Sequence, residues 1–246
     1  MQEEQTVEII EENQPQKTVF FGINKNKQER IESIRYFLLA FVLATAVFLS
    51  QIAYLFQEQL FDWIYYGNIT TLLAHALVVV YIVPFIIIFH KLYRRHGGIS
   101  PFFLKRDQKI HILRRFALYL MAIVPIIVTA MIMKFRFKLE VNLGEGFFQI
   151  LENAGGMVTT VLRLITAVYF IFLVERGCRK LFTAHRYIPF GGILCAIVFG
   201  LAELLLIGGT FAWLNVALYL YVGIVYVVAE ERFAVTYVIA VALFLL

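Results

Sequence analysis

Glu203 lies inside Ile188–Ile207, a run of twenty residues that carries no other charge and is long enough to cross a bilayer as one helix. An acidic side chain at the centre of a membrane helix costs roughly 2.5–3.5 kcal/mol, so the carboxylate is expected to face a bundle interior, where it can pair or serve a function. Gly192, Ala196 and Gly200 recur every four residues on the same run, and Glu203 follows three later. That spacing puts the acid on a small-residue face which a second helix can approach closely. At about 1.5 Å per residue, His75, Arg163, Glu203 and Asn215 each fall roughly 6–9 Å below the outer boundary of their apolar runs. Four runs therefore share one polar intramembrane layer. Two arrangements of it are open: Arg163 and Glu203 form an ion pair, or Arg163 snorkels outward and a protonated Glu203 makes a packing hydrogen bond. A second acid, Glu175, stands four residues before Arg179, a spacing that places both on one helical face and allows an ion pair.

The elements that must position these groups are membrane helices. The chain has 246 residues, of which 61% are hydrophobic and only 16% charged, and its mean hydropathy is +0.79. This is the composition of an integral membrane protein. Apolar runs occupy Tyr36–Phe56, Ile69–Phe89, Phe116–Met133, Met157–Val174, Ile188–Ile207, Thr210–Ala229 and Phe233–Leu246. The expected fold is all-α, a polytopic membrane helix bundle of six to seven transmembrane helices, the last run being short for a crossing. Residues 1–35 form a cytoplasmic tail, partly disordered because its first sixteen residues are acidic and poor in apolar surface. Residues 36–246 form the bundle. Eighteen Lys and Arg residues fall on the side of the N-terminus and three on the other, so the N-terminus is predicted to be cytoplasmic, in a multi-pass protein of the cell membrane. With thirty-five mostly polar residues ahead of the first run, no cleavable signal peptide is expected.

The net charge of +5 and pI of 9.2 do not point to nucleic acid, because the basic residues are confined to segments flanking the membrane. The lipid bilayer is the expected partner. The His90–Arg115 stretch mixes basic with aromatic and aliphatic residues, as a segment lying on an anionic leaflet would. Cys178 and Cys195 have neither redox nor zinc spacing, and His90, His96, His111 and His185 are scattered. No metal and no cofactor is expected.

Two short stretches resemble a known family. FLVERGCRK (Phe172–Lys180) and FGLAE (Phe199–Glu203) are similar to the first two motifs of the CPBP family of membrane proteins, also called Abi or CaaX-protease-like, which read Glu-Glu-x-x-x-Arg and Phe-x-x-x-His. Glu175 and Arg179 match the second glutamate and the arginine, and Phe199 matches the phenylalanine. Val174 stands in place of the first glutamate and Glu203 in place of the histidine. The third motif, a His followed by Asn or Asp, has no counterpart in Phe233–Leu246. The resemblance covers about residues 157–246 and implies an intramembrane-protease fold in which glutamates and histidines activate water. Three functions are compatible with these readings. One is a catalytically degenerate scaffold or regulator that binds a membrane-protein partner or lipid, and it accounts best for the incomplete motifs. Another is an active intramembrane endopeptidase with Glu175 or Glu203 as base and Arg179 as electrostatic partner. The third is a small-solute transporter or substrate-binding membrane subunit using the polar layer. Glu175 and Glu203 are expected to approach in depth if the fourth run continues as a helix through Lys180.

Overall fold

The computed structural model describes residues 27–55, 67–95, 112–132, 147–182, 188–206, 210–229 and 231–245. Among them every regular element is a helix. In chain order these are α1 (Lys27–Leu55), α2 (Gly67–Arg95), α3 (Ile112–Ile132), α4 (Phe147–Leu181), α5 (Phe190–Cys195), a π turn (Ala196–Gly200), α6 (Leu201–Leu206), α7 (Thr210–Val228) and α8 (Phe233–Leu245). The acidic tail and most of the His90–Arg115 stretch lie outside the described residues.

Among the described residues, three helices are long and apolar enough to cross a membrane, over Lys27–Leu49, Thr71–Lys91 and Ile150–Leu181. The apolar parts of the other helices are shorter. Hydropathy located the apolar runs but not the helix ends. α4 begins ten residues before Met157 and ends seven after Val174, because polar residues such as Glu152, Arg176 and Lys180 interrupt apolar character without interrupting i→i−4 hydrogen bonding. Its 35 residues extend about 52 Å, well beyond a ~30 Å hydrocarbon core. Arg179 and Lys180 occupy its last turn, where cations offset the helix dipole. Likewise α1 starts nine residues ahead of Tyr36. The Ser33 hydroxyl fixes that extension by donating to the Gly177 carbonyl at 2.7 Å.

α4 is the central post. From Thr166 to Glu175 it is buried without a break, as a helix surrounded on all sides must be. It packs against α1, α2, α5, α7 and α8, while α3 leans on α7 and α8 from outside. There the Tyr221 hydroxyl donates to the Met121 carbonyl. Tyr169 packs on Phe233 at 4.7 Å between ring centroids, and Phe170 meets Phe199 edge-on at 5.1 Å. The outward faces remain apolar, with Leu38, Phe41, Tyr119, Ile123 and Val238 exposed.

The run expected to be one regular helix is instead broken by the π turn, for a reason of register. A Cβ on Gly192 would lie 2.6 Å from the Gly223 Cα, and one on Gly200 would lie 2.8 Å from the Val216 Cα, so both glycines touch the α7 backbone. Val216 and Gly223 are seven residues apart, two turns of α7, whereas Gly192 and Gly200 are eight apart. In a regular helix the eighth residue is rotated by about 80° from the first. A π turn takes up one extra residue, which returns Gly200 to the same stripe as Gly192.

Two variants test this register. Deleting Ile197, an exposed residue of the π turn, is expected to convert the turn to α-helix and shift the melting temperature in detergent by only a few degrees. Gly192→Leu is expected to cost about 1–3 kcal/mol or more by overpacking against backbone. A deletion that unfolds the protein, or a Gly192→Leu variant as stable as wild type, would contradict the register argument.

Candidate functional site

The two acids occupy separate polar clusters. Glu175 is 1% exposed at the junction of α4 with α5. Its Oε1 accepts a hydrogen bond from Arg179 Nε at 3.1 Å, and its Oε2 accepts the Gly191 backbone N–H at 2.9 Å. Pro189, which precedes α5, offers no side-chain cap, so a carboxylate from the neighbouring helix takes one of the N–H groups that a helix start leaves without an intrahelical acceptor. Only glycine fits at position 191. A Cβ there would sit 2.3 Å from the Ile171 carbonyl oxygen.

Arg179 carries the cluster further. Its guanidinium also pairs with Glu231, which has a φ of 64°, a left-handed conformation that costs a non-glycine residue roughly 1–2 kcal/mol. The Glu231 N–H closes the end of α7 on the Tyr226 carbonyl at 3.0 Å. Lys180 pairs with Glu32 of α1, and the Arg176 guanidinium lies 4.8 Å from the Phe172 ring centroid. This end of the bundle therefore joins α1, α4, α5 and the α7–α8 connection.

Glu203 is 7% exposed and faces α7. Its Oε2 accepts from Asn215 Nδ2 at 2.9 Å and its Oε1 from the Tyr219 hydroxyl at 3.2 Å. Asn215 and Tyr219 are four residues apart, on one face of α7, and the tyrosine ring packs against Phe199 and Phe244. Arg163 lines a narrow cleft with Tyr219, Thr166 and Phe199. One turn away on α4, Thr159 Oγ1 lies 3.4 Å from His75 Nδ1, and the His75 ring lies against Gly155 and Gly156. Arg163 therefore stands between the Thr159–His75 contact and Tyr219. His75, Arg163, Glu203 and Asn215 thus stand along one chain of neighbours, with Thr159 and Tyr219 between them. Gly192 and Gly200 sit against α7, and Ala196 is buried between them.

The structure does not bring Glu203 to Glu175 and Arg179, although α4 continues through Lys180. Gly191 is level with Glu175, and Glu203 is twelve residues further along the broken helix, roughly 18 Å at 1.5 Å per residue. Because α4 and the broken helix run antiparallel, lengthening α4 moves Glu175 away from Glu203. No single catalytic centre contains all three residues.

Sequence reasoning missed Gly191, Tyr219, Glu231 and Gly223. Tyr219 carried a signal in its four-residue spacing from Asn215. Gly191 carried a weaker one in its adjacency to Gly192. Nothing in the sequence marked Glu231, whose partner is 52 positions away and whose backbone conformation depends on the α7–α8 connection. In the comparisons with known proteins, no family model, no curated protein and no solved structure matches this chain.

The clusters make two predictions. Tyr219→Phe removes the hydroxyl that donates to Glu203 Oε1 and is expected to cost about 1–3 kcal/mol in wild type but less in a Glu203→Leu background. A double-mutant cycle by thermal unfolding in detergent should yield at least about 0.5 kcal/mol of coupling, and additivity would deny the bond a role. At position 231, alanine and glycine both remove the ion pair, but only glycine relieves the positive φ. Glu231→Gly is therefore expected to be about 1 kcal/mol more stable than Glu231→Ala, and equal stabilities would count against strain at this position.

Proposed function

We propose that this chain is a multi-pass membrane scaffold with a CPBP-like core, in which the residues resembling protease motifs join helices instead of activating water. In this reading α1 to α4, α5–α6 taken together, and α7 make six crossings. α8, with its 13 residues about 20 Å long, is a seventh helix that reaches part of the way. The N-terminus is cytoplasmic, and the outward apolar faces meet lipid and a membrane-protein partner.

One observation carries the reading: both oxygens of Glu175 are engaged inside the protein, one by Arg179 and the other by the Gly191 N–H, and the side chain is 1% exposed. A general base must come within about 3 Å of the water it deprotonates, and a peptide substrate needs space beside that water. Arg179, which would have to stabilise a developing oxyanion, is held between two carboxylates. Glu203, the residue in the place of the family's histidine, has Asn215 and Tyr219 on its two oxygens and is remote from the Glu175 pair. In this reading the residues that resemble the motifs pack helices, a role similar to that of family members with eroded motifs.

Purified protein in nanodiscs is expected to release no fragment from a panel of lipidated and transmembrane peptides. Glu175→Gln, which keeps an acceptor but loses the charge facing Arg179, is expected to lower stability by about 1–3 kcal/mol. Fragment release by wild type that disappears in a folded Glu175→Gln variant would establish the endopeptidase reading and end this one.

A further inference from the structure

An open apolar groove runs between α1 and the α4–α5 pair. Phe37, Ala44 and Phe48 form its α1 side, Phe170 and Val174 its α4 side, and Leu194 its far wall. Its volume is about 410 Å³. From Phe37 to Leu49 it follows α1 for roughly 18 Å.

Water is a poor occupant. The hydroxyl in the lining belongs to Thr45, and it already donates to the Phe41 carbonyl at 2.9 Å, whereas a buried water needs two to four polar partners. An empty groove would leave its lining without dispersion contacts on one side. Its rims are exposed and apolar, with Leu38 and Val42 on α1 and Ile197 on the π turn, so in a bilayer groove and rims together face hydrocarbon.

Beyond one end of the groove stands a cation. Arg30 is exposed and lies seven residues before Phe37, two turns and about 10 Å along the same stripe of α1. Lys27, also exposed, stands nearly one turn further out but about 80° off that stripe, in a cleft with Glu32 and Arg35, and Glu29 lies equally far off it on the other side. Glu32 is held by Lys180 and, five residues before Phe37, lies off that stripe. Hydrocarbon along the groove with a cationic end two turns beyond it matches one kind of molecule.

We propose that the groove seats an acyl chain of an anionic phospholipid, whose phosphate lies at Arg30. The proposal rests on bilayer insertion and is independent of whether the chain cleaves peptides. Native mass spectrometry of protein exposed to equimolar phosphatidylglycerol and phosphatidylcholine is expected to show at least threefold preference for the former. Thr45→Trp, at an exposed position on the groove wall, should reduce bound lipid at least fivefold. Arg30→Gln should keep lipid but lose the preference. Carbonate extraction of each variant reads insertion separately: release from membranes defeats the membrane reading, and with it this one. Retention in membranes with undiminished lipid in Thr45→Trp, or with equal binding of the two lipids by wild type, overturns the lipid site alone. A cross-linked protein complex that Thr45→Trp abolishes while lipid binding persists would assign the groove to a partner helix and overturn it too.

Discussion

A polar group buried among apolar helices has no water to bind, and leaving it without a partner in the protein costs about 1–3 kcal/mol. Glu175 answers that constraint for three elements at once. Its carboxylate takes the Gly191 N–H at the start of α5, holds Arg179 on its own helix, and through Arg179 secures Glu231 after α7. Such an arrangement gains little over a well-packed apolar core, yet breaking a buried pair costs about 3–5 kcal/mol. It ties particular residues of α4, α5 and the α7–α8 connection to one another, which apolar packing alone does not single out. Lipid tails are as apolar as leucine, so greasy surfaces alone do not tell one helix pairing from another.

Specificity of that kind requires close backbones, and glycine supplies them. Gly191 meets the Ile171 carbonyl, and Gly192 meets Gly223, so the first turn of α5 lies between α4 and α7 with little side chain on either side. Adding a methyl group at position 191 would lengthen the Glu175 hydrogen bond as well as separate the helices. Contact and polar satisfaction are therefore one feature. The Lys180–Glu32 pair and the Ser33–Gly177 bond bring α1 to the same end of α4, which leaves the groove higher up between α1 and α4 bounded by fixed walls.

Much of this was legible because long apolar helices write a coarse signal. The apolar runs, the inward acid at 203, the Glu175–Arg179 spacing and the glycine recurrence all follow from one-dimensional rules of period and charge. The helix ends were not legible, because hydropathy measures what lipid accepts while backbone hydrogen bonding continues through Glu152 and Lys180. Nor was the separation of the two acids. Relative depth on antiparallel helices depends on which residues face each other, and that was set by a backbone N–H at Gly191, a group every non-proline residue has. Glu231 was invisible for a similar reason, since a left-handed residue is normally glycine, and here the conformation is imposed by its surroundings.

The π turn shows how a local irregularity serves the whole. Eight residues on one helix must match seven on its partner if both glycine contacts are to form, and a regular helix would turn Gly200 away from Val216. Taking up the extra residue keeps both contacts and also fixes where the following turn points. Glu203 emerges three residues later against Asn215 and Tyr219. A π-bulge next to an acid is often read as the mark of a functional site. Here register alone accounts for it: the distortion is what two glycine contacts of unequal spacing require, and the acid's partners follow from the phase it sets.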